Sequence, residues 1–406
     1  MSTSDETIDV GVHDATTDRR YGVTGPRGFR ACGVAAGIKS GTALDLALIV
    51  NDGPGQQAAG VFTTNQVKAA PVLWSEQVLR ERKLRAVVLN SGGANACTGP
   101  EGFQDTHATA ERAAELLGTG AIEIGVCSTG LIGQRLPMPA LLEGLDTAVT
   151  GLNDTERAST DAAAAVLTTD THPKQVCLTH PDGWSIGGMV KGAGMLAPNL
   201  ATMLAVVTTD AGVEGETLQR ALRQACSGTF ERLDVDGGTS TNDTVLLLSS
   251  GASELAPAEA EFTELLTRVC GDLVRQLQHD AEGATKAIDI TVRGAASEED
   301  AVSIARLVAE DNLVSAALFG SDPNWGRIAM AVGRSAITID ASVMEIIANG
   351  VTLYSGGTPV ADRDTVDLSG RDIEIVVDLR LGDHSATVLT TDLSHDYVEE
   401  NSAYST

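Results

Sequence analysis

The sequence predicts a layered α/β protein, a sandwich of mixed sheets covered by helices. Three observations point there. Hydrophobic residues make up 43% of the chain but aromatics only 3%, so the core must be built from Ala, Val, Leu and Ile in tight layers. Short apolar runs of strand character alternate with amphipathic helical stretches. The two kinds do not follow a regular strand–helix beat, and one strand pair carries a hairpin signal, which argues for mixed rather than parallel sheets.

Each element has its own reason. Residues 1–27 read as a loose lead-in. Leu44, Leu46, Leu48 and Val50 share one parity and Ala47 and Ile49 the other, as in a strand buried on both faces. Ala86–Leu89 is a short strand that enters the Gly-rich stretch Asn90–Asn95. Gln104–Leu117 is helical and closed by Gly118 and Gly120. Ile122–Cys127 is a strand running into Ser128-Thr129-Gly130, and 141–149 and 156–167 are helical. Gln175–Thr179 and Trp184–Gly188 flank Pro181-Asp182-Gly183, a hairpin. Met203–Thr208 is a strand and Glu216–Ala225 a helix. Phe262, Leu265, Leu266, Val269, Leu273 and Leu277 form one helical stripe. Ile288, Ile290 and Val292 alternate as in a strand. Ser297 caps a helix over Ala301–Ala309, with acidic residues in its first turn. Ile337/Ile339 and Ile373/Ile375/Val377 alternate again. At 406 residues the chain has room for two or three domains.

Composition excludes several functions. The net charge is −27, which opposes contact with a phosphate backbone or an anionic lipid surface, so neither nucleic acid nor membrane is an expected partner. No apolar run approaches the roughly 20 residues of a membrane span. The N-terminus lacks the basic-then-apolar pattern of a signal peptide. The six cysteines form no C-x-x-C pair, so free thiols in a reducing, cytoplasmic setting are expected.

Several familiar motifs fail. Gly33–Ser40 has the wrong spacing for a phosphate loop, with Ile38 before Lys39. Asp234-Val-Asp236-Gly-Gly begins like a calcium loop, but Gly238 stands at the next liganding position and a turn explains it better. There is no G-x-S-x-G and no H-E-x-x-H, and the seven His are scattered.

The informative segment is Lys191–Leu204, KGAGMLAPNLATML. Gly192 and Gly194 free the backbone, Pro198 fixes it again, and Ala201-Thr202 opens an apolar strand. A small residue before a hydroxyl residue in a rigid turn suits an N→O acyl shift. The Thr202 hydroxyl would attack the Ala201 carbonyl, and hydrolysis of the ester would leave Thr202 as a new N-terminus. Its α-amine, with an ordinary pKa of about 7.7–8.0, would sit beside the hydroxyl as a base. Residue chemistry alone favours a plainer account, a strand-opening threonine.

The segment resembles the signature of the ornithine acetyltransferase family, and the likeness runs along most of the chain. Asn90–Thr98 (NSGGANACT), Cys127–Gly133 (CSTGLIG), Thr168–Lys174 (TTDTHPK), Ser240–Thr244 (STNDT), Asp280–Gly283 (DAEG), Gly320–Arg327 (GSDPNWGR) and Glu400–Thr406 (ENSAYST) follow the family's order. The resemblance implies a self-cleaving N-terminal-nucleophile fold, with an N-terminal lobe over 28–201 and a C-terminal lobe over 202–406. It implies cleavage between Ala201 and Thr202, with Thr202 as nucleophile and Thr129 and Gly130 as the oxyanion pair. Thr168, Lys191, Thr202, Glu282, Asn401 and Thr406 match the family's substrate-contacting positions. Lys191 suits a carboxylate, Glu282 an amine, and Asn401 and Thr406 neutral hydrogen bonds. The implied reaction is ping-pong and requires no metal or bound cofactor. An acetyl group passes from N2-acetyl-L-ornithine to Thr202 and then to L-glutamate, in arginine biosynthesis. Some members also take acetyl-CoA, which makes it a candidate second donor. Two α and two β chains are the expected assembly.

Two other readings stay open at this point. A self-cleaving aminopeptidase of the same broad fold would generally use serine, and peptide hydrolysis would reveal it. A non-catalytic small-molecule binding protein would remain one uncut chain.

Overall fold

A computed structural model describes residues 15–18, 20–197 and 203–403. Strand β1 (Thr16–Asp18) comes first, followed by β2 (Phe29–Val34), β3 (Leu46–Asn51) and β4 (Gln57–Phe62). Helix α1 (Ala70–Val78), β5 (Ala86–Asn90), α2 (Gly99–Leu117), β6 (Ile124–Ser128), α3 (Met138–Gly151) and α4 (Glu156–Ala164) lead to the hairpin β7 (Lys174–Thr179) and β8 (Ser185–Lys191). The second half runs β9 (Leu204–Thr209), α5 (Gly215–Gly228), β10 (Thr244–Ser249), α6 (Glu259–His279), β11 (Ala287–Ala295) and α7 (Glu298–Ala309). Then come α8 (Asn312–Phe319), α9 (Trp325–Val332), β12 (Glu345–Ala348), β13 (Val351–Ser355), β14 (Thr358–Pro359), β15 (Asp372–Asp378), β16 (His384–Thr391) and α10 (His395–Ala403).

The strands form three mixed sheets, ordered β1-β7-β8-β9-β10-β4, β2-β3-β5-β6 and β14-β13-β12-β15-β11-β16. Each contains one parallel pair: β9 with β10, β5 with β6, and β11 with β15. The expected α/β class with mixed sheets holds.

Period-2 alternation sets the layers. On one face of the first sheet, Leu204, Val206, Leu246 and Leu248 join the core of the four-stranded second sheet. On the other face Ala205, Val207, Val245 and Leu247 pack with α5 and α6. The outer face of the second sheet is covered by α1–α4. The order is helices, sheet, sheet, helices. The third sheet has its own core beneath α7, α8 and α9. Aliphatic side chains with few rings let these layers approach closely.

Three expectations need correction. The lead-in is not loose from Thr16 onward. β1 pairs antiparallel with β7, Val23 is fully buried, and Gly22 donates its N–H to Ser159 Oγ. This tail presses so closely on the first sheet that a Cβ on Gly187 would lie 2.1 Å from the Gly22 carbonyl oxygen. The strand expected from Ile122 begins at Ile124. Ala121–Glu123 is a 3₁₀ turn, held by Gly120 N–H donating to the Glu123 carboxylate, and Ile122 faces solvent. Ile337 and Ile339 form no strand; they pack half-buried on the third core from an irregular connection. The Ser297 cap is present, its hydroxyl accepting from Asp300 N–H.

Candidate functional site

Side by side, β5 and β6 run parallel, and both end at the same edge of the second sheet, the end where loops of an α/β sheet build sites. β5 ends at Asn90, whose amide donates to Gly93 O at 3.1 Å and accepts from Ser128 Oγ at 2.6 Å. This fixes two Gly-bearing loops against each other. Gly130 has φ +122°, and a Cβ there would stand 2.7 Å from the backbone of Gly92 and Gly93. Only glycine fits. Asn242 ties the next sheet to this junction, donating to Ala94 O at 2.7 Å and Ser128 O at 2.8 Å.

Lys191 ends β8 and is 1% exposed. Its ammonium donates to Thr129 Oγ1 at 3.2 Å, and among the described residues it makes no ion pair. Burial lowers its pKa; Asp170 opposes that shift and Lys174 adds to it. Asp170 itself accepts from Lys174 Nζ and Gly192 N–H, each at 2.7 Å. Burial works against its ionisation, yet Lys191, Lys174 and these hydrogen bonds hold its pKa below the ordinary value. Lys174 is fully buried and also meets Asp280 at 2.5 Å. A strongly acidic protein thus keeps two buried cations at one spot.

Opposite lies Glu282, in the turn after α6. Thr169 Oγ1 donates to its Oε1 at 2.5 Å and Asn401 Nδ2 to its Oε2 at 3.1 Å. Its own N–H donates to Ala193 O at 2.9 Å, which ties it to the loop after β8. Helix α10 has no buried residue and lies over this corner, carrying Asn401.

A cavity of about 460 Å³ brings together Thr129, Gly130, Thr168, Lys191, Glu282 and Asn401. These are six of the sequence-selected positions, from separate segments of the chain. Thr202, Thr406 and the Ala201–Thr202 bond lie outside the described residues. The flanking Met203 is described: its N–H donates to Asp243 Oδ1 at 3.1 Å. Sequence reading assigned no role to Asp170, Thr169, Asn242 or Asp243. Asp170 and Thr169 stand within the TTDTHPK motif and Asn242 and Asp243 within STNDT, so the signal was the motif, with no rule to say which member faces the cavity. Chemically, the cavity offers a cation at one side, a carboxylate at the other and small hydrogen-bond donors between. That complements a small molecule bearing a carboxylate and an amine.

A helix-covered double sheet with a charge-lined cavity at its strand ends is the build of a small-molecule enzyme. The model of the ArgJ family matches residues 30–406, and the chain belongs to that family. The arginine biosynthesis bifunctional protein ArgJ of Mycobacterium tuberculosis is 60% identical over 392 residues, covering 95% of this chain and 97% of its own. That of Streptomyces coelicolor is 56% identical over 383 residues, covering 94% and 99%. Among solved structures, the ornithine acetyltransferase of M. tuberculosis complexed with ornithine is 59% identical, covering 47% of this chain and all of that one at a TM-score of 0.45.

Proposed function

We propose that this chain is a self-processing acetyltransferase of arginine biosynthesis. It cuts itself between Ala201 and Thr202, giving an α chain (28–201 with the preceding tail) and a β chain (202–406). Thr202 then takes the acetyl group of N2-acetyl-L-ornithine, releases L-ornithine, and passes the group to the α-amine of L-glutamate. The observation that carries this reading is the convergence of Thr129, Gly130, Thr168, Lys191, Glu282 and Asn401 on one cavity.

The steps follow from the residues. The Thr202 hydroxyl adds to the acetyl carbonyl while its α-amine takes the proton. The developing oxyanion meets the Thr129 hydroxyl and the Gly130 N–H, aimed before the reaction begins. Buried Lys191 pairs with the substrate carboxylate, and Glu282, steadied by Thr169 and Asn401, holds the amine end. Thr168 and Thr406 add hydrogen bonds. Acetyl-CoA, which reaches the same acetyl-Thr202, is a second donor in the bifunctional form. The working unit is two α and two β chains in the cytoplasm.

Intact mass and N-terminal sequencing of the purified protein test this first. Two fragments, one beginning Thr-Met-Leu at Thr202, are the expected result. A single 41.9 kDa chain that stays whole on incubation would overturn it, and acetyl transfer from N2-acetylornithine to glutamate is the assay that follows a positive result.

A further inference from the structure

Lys174 is fully buried at the start of β7, opposite Val190 near the end of β8, and no step above uses it. Its ammonium lies between two carboxylates, Asp170 Oδ1 at 2.7 Å and Asp280 Oδ2 at 2.5 Å. The side chain of Asp170 is fully buried as well, and that of Asp280 nearly so. None of the three lines the cavity, so they act on a bound molecule only through other residues. Each carboxylate holds one side of that cavity. Asp170 accepts from Gly192 N–H at 2.7 Å, next to Lys191, and from Thr168 N–H at 3.2 Å. Asp280 accepts from Thr171 N–H at 3.0 Å and stands two residues before Glu282. Glu282 N–H donates to Ala193 O at 2.9 Å, which closes the ring back to the loop after β8. Buried charges of this kind add little stability over an apolar filling of the same shape. What an ammonium shared by two carboxylates does supply is a fixed distance, since charge-assisted hydrogen bonds are short and directional.

We propose that Lys174, strapped between Asp170 and Asp280, is a positioning residue that fixes the separation of Lys191 from Glu282 and so sets the length of amino acid the cavity accepts. This rests on the reading above, in which Lys191 meets the donor's carboxylate and Glu282 its amine end. With both anchors held, a donor one methylene shorter leaves one charge without its partner, and one a methylene longer is compressed between them. Glu282 is also steadied by Thr169 and Asn401 at its carboxylate. Loss of the strap therefore does not free Glu282; it lets the two sides of the cavity shift relative to each other.

The test compares wild type with the double variant Lys174→Met/Asp280→Asn. It removes one charge of each sign, so the local balance is kept, and Asp170 stays in place to oppose the burial of Lys191. The amide oxygen introduced at position 280 still accepts from Thr171 N–H. The readouts are thermal melting and kcat/KM for acetyl transfer to glutamate from N2-acetylornithine and from its analogues one methylene shorter and one longer. Wild type should favour the ornithine donor by about tenfold or more over either neighbour, the worth of one methylene in a fitted site. The double variant should melt cooperatively and lose at least about threefold of that preference. A general structural defect lowers all three rates together and leaves their ratios alone. A folded variant whose ratios stay within that factor of wild type overturns the proposal, as does a wild type with no length preference. Should the double variant fail to fold, Asp280→Asn alone, which leaves Lys174 paired with Asp170, is read by the same ratios against the same factor. Wild type that transfers from none of the three donors instead sinks the acetyltransferase reading itself.

Discussion

Lys191 carries a charge in a place that stability alone would not choose. A fully buried ammonium whose hydrogen bond among the described residues goes to one hydroxyl loses solvation that the neighbouring Asp170 charge offsets without overcoming, since burial still lowers its pKa. The substrate carboxylate is the natural complement. Lys191→Met should therefore keep thermal stability within about 1 kcal/mol of wild type while kcat/KM falls by about 10² or more, mostly through KM. A melting scan beside steady-state kinetics checks both halves. Gly130 makes a different demand. At φ +122° and 2.7 Å from backbone on its far side, any Cβ must push the β6 loop away. Gly130→Ala should lower acetyl transfer by about 10²–10³, the range for a lost oxyanion donor, with KM less affected. At this scale the sequence was legible in placement: Lys191, Glu282 and Asn401, singled out by motif, line one cavity. The burial of Asp243 beside Met203 was not, because it depends on a strand register that no local pattern encodes.

Between elements, two contacts join segments far apart in the sequence. The N-terminal tail lies on β8 through Gly187, and Gly187→Ala should cost at least about 2 kcal/mol, the order of overpacking in a close-packed layer, read as a lower denaturation midpoint. The second contact is the turn after Leu233. Asp234 N–H donates to Leu389 O at 2.8 Å, binding the first sheet's connections to β16. Its carboxyl faces Glu310, the C-cap of α7. Burial first, then the Glu310 charge, push Asp234 up to about 8. The folded protein thus holds a proton that the unfolded chain releases near pH 4. Stability from this group is greatest at low pH and declines between pH 4 and 8. Asp234→Asn copies the protonated form, so its advantage over wild type should grow by at least about 1 kcal/mol from pH 5 to 8. Melts at the two pH values measure it, and a constant difference would count against the shared proton. Strand β3, apolar on both faces, and the alternating strands β11 and β15 were legible in advance. Tail strand β1 and the 3₁₀ turn at Ile122 were not: one is decided by a long-range pairing, the other by a Glu123 hydrogen bond.

Across the whole molecule, α10 is the least committed part. It buries no side chain, yet lies at the cavity with Asn401 against Glu282. A chain ending at Ser394 should melt within a few degrees of wild type, consistent with surface loss only, but lose most discrimination among amino-acid acceptors. Competition assays with glutamate and its neutral analogues would show it. All six cysteines are free, so no covalent link fastens one half to the other. β8 and β9 are antiparallel neighbours in one sheet, with Lys191 opposite Leu204 and residues 192–203 as their only covalent connection. A break in that connection opens the backbone in the middle of a hydrogen-bonded ladder rather than between lobes. The two pieces then stay together as long as the sheet does, but once melted they must find each other by diffusion. Refolding becomes second order, melting temperature rises with protein concentration, and the working lifetime is set by how slowly the sheet opens. A molecule cut there would have assembled from one chain and would keep its shape chiefly by not letting go.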